Sequence, residues 1–107
     1  MTTDMTVSAG GRRFEHKGLG LVVELRPITQ GLLNAWHAAL RTATPAGDTA
    51  LTEYHSYVVM AAITAGWVAA PAGWQAEAVV NWDPVKVRWL ALRVLEVHKE
   101  VTTVPPE

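Results

Sequence analysis

Four histidines, His16, His37, His55 and His98, are the residues of this 107-residue chain with the chemistry to hold a metal or move a proton. Their spacing argues against both uses. None stands in the H-x3-H relation that aims two imidazoles at one ion. His37 and His55 could meet across neighbouring helices, but no third ligand accompanies them. The carboxylates Glu15, Glu24, Glu53, Glu77, Asp83 and Glu96 are scattered, and acid–base work needs a pair in a polar cleft. Ser8 and Ser56 lack the G-x-S-x-G setting of an activated nucleophile. His55 and Ser56 are adjacent on an expected helix and so point about 100° apart. The absence of cysteine removes disulfides, thiolate catalysis and cysteine zinc sites. The residues therefore assign no catalytic, cofactor or metal site and imply a non-enzymatic protein.

The elements that would position a site are easier to read. Residues 1–11 are small and polar, end in Gly10-Gly11, and read as a flexible N-terminal arm. Leu21, Val23 and Leu25 alternate with Val22, Glu24 and Arg26, the period-two pattern of a half-buried strand. Lys17, Gly18 and Gly20 permit a turn before it, so residues 12–16 are expected to pair back as a β-hairpin. The same glycines resemble a phosphate loop only superficially, because a strand follows them and not a helix N-terminus. Thr29 can cap a helix over residues 30–42, with Leu32, Leu33, Trp36, Ala39 and Leu40 on one face and Asn34, His37 and Arg41 opposite. After the loop TPAGD, a second helix runs from Leu51 to Ala65, with Gly66 as its C-terminal cap. It is apolar nearly all round after Tyr57 and should be central. Residues 67–82 connect the halves, and AEAVVNW within them fits a helical turn or a short strand.

Asp83-Pro84 starts the last helix, an N-cap carboxylate followed by proline at the first helical position. The helix should run to about Thr102, where the Thr103–Glu107 tail with its two prolines cannot continue it. Val87, Leu90, Val94, Val97 and Val101 form one packing stripe. Val85, Trp89 and Leu92 fall on the far side, where a single-faced surface helix would carry none of them. Either Trp67, Trp74 or Trp82 packs behind the helix, or that second face meets another chain. Four of the five tryptophans lie between Trp67 and Trp89, and tryptophan is enriched among interface anchors.

The expected fold is α+β: an N-terminal β-hairpin packed on three main α-helices, one domain over residues 12–102. An all-α fold with an extended N-terminal segment is the alternative. Nine basic against ten acidic residues, net −1, give no excess to neutralise phosphates. The alternative of a small regulatory or DNA-binding domain would have to rest on Arg88 and Arg93, beside Glu96 and Glu100. A small ligand carrier would need an apolar pocket among Trp36, Tyr54 and Trp74. Neither a signal peptide nor a membrane span is expected, since YVVMAAITAGWVAAPAGW is broken by Thr64, Gly66 and Pro71. That composition fits a cytoplasmic protein.

The order of features resembles the tail assembly chaperone-like families encoded among phage and prophage tail genes. The resemblance is carried by ELRPIT, MAAITAGWV, VRWLALRV and EVTTVPPE, and by P-x-x-V-x-x-L-A at Pro84, Val87, Leu90 and Ala91, over roughly residues 21–107. The tryptophan density departs from the family's pattern. The resemblance implies no catalytic residues. It implies a protein of a bacterial host's cytoplasm, oligomeric, that coats an aggregation-prone tape-measure protein with exposed apolar helix faces. Val85, Trp89 and Leu92 are then the expected partner-binding residues, for another protein or for self-association.

Overall fold

The structure is a computed structural model that describes residues 12–45, 47, 51–70 and 73–103. The expected N-terminal arm, parts of the TPAGD loop and most of the C-terminal tail lie outside the described residues. The fold is α+β. Strand β1 (Arg12–His16) and strand β2 (Leu21–Leu25) form the expected hairpin, antiparallel, with Phe14 opposite Val23. A single 3-10 turn joins them, and Gly20 closes it at φ +60, the left-handed region where glycine carries no Cβ penalty. His16 Nδ1 accepts the Leu19 N–H at 3.1 Å across this turn. The period-two pattern places Val23 and Leu25 in the core and turns Glu24 outward.

Helix α1 (Gln30–Ala43) starts where Thr29 Oγ1 accepts the Leu32 N–H at 3.1 Å. Helix α2 (Leu51–Thr64) ends in a paired C-terminal closure: the Gly66 N–H reaches Ile63 O at 3.1 Å and the Trp67 N–H reaches Ala62 O at 3.0 Å. Gly66 sits at φ +80, so the closure needs its missing Cβ. The turn throws Trp67 into the core, fully buried, and starts a third strand, β3 (Val68–Ala70), antiparallel to β2. Arg26 fastens the corner by donating its N–H to Trp67 O at 2.8 Å and its Nε–H to Gly66 O at 3.0 Å.

Strand β3 is an addition to the expected hairpin, giving sheet order β1-β2-β3. Three residues, two of them alanine, are too short and too weak in strand propensity to stand out from a connecting segment. The AEAVVNW stretch resolves as a 3-10 turn over Ala76–Asn81, with Val79 buried.

Helix α3 (Pro84–Thr102) begins as expected, with Asp83 Oδ1 accepting the Val85 N–H at 2.8 Å and Pro84 in the first turn. Val87, Leu90, Val94 and Val97 are buried against α2, the central helix, which packs on both α1 and α3. Val58, Val59, Ala61 and Ala62 of α2 join them in one core. Burying side chains of this size stabilises by roughly 1.5–3 kcal/mol each before the cost of ordering the chain is counted.

Candidate functional site

The side chains with chemical potential go to three places, beginning with a seam between α1 and α3. His37 and His98 meet Nε2 to Nε2 at 3.1 Å, and His98 lies against the Trp36 ring at 4.9 Å between centroids. The expected solvent side of α1 is thus partly closed by α3, and His37 finds His98 where His55 was its anticipated neighbour. Such a contact needs one ring to donate and the other to accept, so the pair can share one proton between them but not hold two without repulsion. Burial, and then the neighbouring His37 charge, hold His98 below its ordinary value. His55 itself is buried in α2. Among the described residues no group of three or more metal-ligating side chains converges.

A second place collects the tryptophans in two pairs with different surroundings. Trp36 and Trp67 are buried, edge to face at 5.7 Å, with Trp36 Nε1–H donating to Val58 O at 3.4 Å. Trp67 Nε1 is buried without an acceptor, which costs part of what its ring gains by packing. Trp74 and Trp82 stay half-buried, 4.9 Å apart, and the Lys86 ammonium lies 3.8 Å from the Trp82 ring centre and 4.8 Å from that of Trp74. Burial pulls the Lys86 amine below its usual range, while the two ring faces favour its charged form. Trp74 pairs with Trp82, and Trp36 with Trp67, so the rings expected around a pocket with Tyr54 belong to separate pairs.

The third place is the outside of α3. Trp89 is half-buried and packs edge-on to His16 of β1 at 5.4 Å. Arg93 stands 5.9 Å from both the Phe14 and the Trp89 rings, with Nε 3.2 Å from Glu96. Its Nε–H is not aligned on that carboxylate, so the contact is an ion pair without a hydrogen bond at this atom. Arg12 and Glu100 form an ion pair at the far end of the same flank. Val85 and Leu92 stay outward, 58% and 38% exposed, two helical turns apart on one line. Of the three expected partner-binding residues, two therefore face out and Trp89 is shared with the hairpin. Of the two arginines expected for DNA contact, Arg88 is exposed and Arg93 lies among aromatic rings and a carboxylate.

A shallow groove, unmarked in the sequence except by its alanines, opens between α1 and α2. It holds about 490 Å³ between Ala35, Ala38, Ala39 and Thr42 on one wall and Met60 and Thr64 on the other. None of its described lining residues is charged. Among the described residues no helix is long and apolar enough to cross a membrane. Comparison with protein families, with curated proteins and with solved structures finds no match to this chain.

Proposed function

We propose that this chain is a non-enzymatic interaction protein, an assembly chaperone of the phage-tail kind. It works in the cytoplasm of a bacterial host and holds an apolar helical stretch of a tape-measure-type partner against its uncovered helix faces. One observation carries the reading: a small domain leaves apolar helix surface open on two sides, at Val85 and Leu92 of α3 and in the uncharged α1–α2 groove. Small residues on both groove walls let a helix backbone come close, and helix-in-groove docking is a recurrent way to hold an amphipathic partner. Composition supports a protein partner over nucleic acid, because the net charge is −1.

The test is co-expression with a long helix-forming tape-measure protein from the same tail gene set. The wild-type chain should keep that partner soluble and copurify with it. Ala38→Glu, which places a charge in the groove, should abolish copurification while circular dichroism stays unchanged. A partner that stays insoluble with the wild-type chain, or that copurifies equally with the variant, contradicts the reading.

A further inference from the structure

The open side of α3 coincides with an open sheet edge. Among the described residues β1 pairs with β2 alone, so alternate residues of Arg12–His16 turn backbone N–H and C=O groups outward. The helix beneath this edge is α3. His16 meets Trp89, Phe14 meets Arg93 and Arg12 meets Glu100. On a helix that turns about 100° per residue, Val85, Leu92 and Glu96 occupy the next sector round, beyond β1 and away from the buried stripe. Free edge and uncovered apolar line therefore face the same way.

The edge is also complementary to itself. If two copies of RRFEH run antiparallel with Phe14 on the two-fold axis, Arg13 of each faces Glu15 of the other on the outer face of the sheet, and the pair occurs twice. Opposite charges placed directly across a strand pair stabilise it, and like charges destabilise it. On the inner face Arg12 falls opposite His16. Both strands send side chains to the inner face, Phe14 from β1 and Val23 and Leu25 from β2, and an α3 centred beneath the two would stand back from the edge. That setback accommodates the wider spacing of packed helices, about 8–10 Å, against about 4.8 Å for adjacent strands. The two α3 helices would then lie antiparallel under the joined sheet, with Leu92, and Glu96 beside its own Arg93, nearest the two-fold axis and Val85 farther along each helix, toward the partner's C-terminal end.

We infer that β1 and the Val85–Leu92 line of α3 form a homodimer interface, in which two copies join through β1 into one six-stranded sheet. This goes beyond the chaperone reading and stands whether or not the other partner is a tape-measure protein. It reassigns the Val85–Leu92 line from that partner to a second copy, and leaves the α1–α2 groove of each copy for the partner, since no groove-lining residue belongs to β1 or α3.

Charge exchange tests the pairing and its register together. Light scattering should give the wild-type chain twice the mass of one chain. Arg13→Glu alone and Glu15→Arg alone each set like charges across the axis in both pairs and should run as single chains. Mixing the two variants restores opposite charges in both pairs, and the mass should return to two chains. Arg13 also faces Glu24 across β1–β2 in its own chain, so the hairpin of each variant is checked directly, by the NMR contacts between Phe14 and Val23. A single-chain wild type overturns the inference, as do single variants that remain dimeric. Well-folded variants that fail to recombine overturn it too, because the register would then be wrong. Partner solubility is not read in this experiment, so its outcome and that of the co-expression test are independent.

Discussion

On one flank of α3, His98 reaches His37 and lies against Trp36; on the other, Val85 and Leu92 look outward beside a strand edge that no described strand covers. Both flanks carry residues that a single-faced helix would not. The first is closed by the chain's own α1, and its aromatic and imidazole rings are spent inside the monomer. The second is closed only as far as Trp89, where the hairpin runs out. Apolar character on the wrong side of a helix thus has two meanings in one molecule. What separates them is whether another element of the same chain has the length to reach.

The largest expected contrast sets a sealed residue against an open one. Trp36→Ala should cost about 3–5 kcal/mol in denaturant unfolding, because its ring fills the space between α1, Trp67 and His98. Against the roughly 5–15 kcal/mol that holds a domain of this size, that is a loss close to unfolding. If Trp36→Ala is tolerated cheaply, the sealed flank is not sealed. A smaller effect belongs to the cap that both flanks depend on: Asp83→Ala should cost about 1 kcal/mol by removing the acceptor of the Val85 N–H. It should leave the mass in solution unchanged.

The sealed flank should also respond to acid. His98 has its folded pKa below the ordinary 6.5, so the unfolded chain binds the proton more readily. The contribution of the neutral pair is therefore fully present above about pH 6.5 and is lost as pH falls through the lower folded value. Thermal melts across that window should show a drop that His98→Gln flattens. An identical pH profile in the variant would show that the His37–His98 contact is not the group being titrated. The smallest effect is expected on the open flank, where Leu92→Glu should change monomer stability by no more than about 0.5 kcal/mol. A loss as large as that of Trp36→Ala would place Leu92 in the monomer core.

Much of this was legible from local chemistry. Asp83-Pro84, Thr29 and Gly66 mark helix ends because capping depends on one side chain and its immediate neighbours. The stripe from Val87 to Val101 and the strand at Leu21–Leu25 follow from periodicity alone. What was hidden depends on how elements meet. Strand β3 exists because the Gly66 closure turns the chain beside β2, and its own residues carry no strand signal. The encounter of His37 with His98, 61 positions apart, is fixed by the packing of α1 on α3. So is the division of the tryptophans into a buried pair and a half-buried pair beneath Lys86. Of the expected contact residues, Val85 and Leu92 could be placed by angle on the helix, but Trp89 could not, because its cover comes from His16 at the far end of the chain.

The most direct test of the open flank is amide hydrogen exchange of the unmodified chain followed by NMR as concentration is raised. If β1 is the joining edge, alternate amides within Arg12–His16 should gain protection as copies pair, while the amides of β3, at the other edge of the sheet, should not change. Exchange in β1 that stays independent of concentration, with the mass of a single chain throughout, would contradict it.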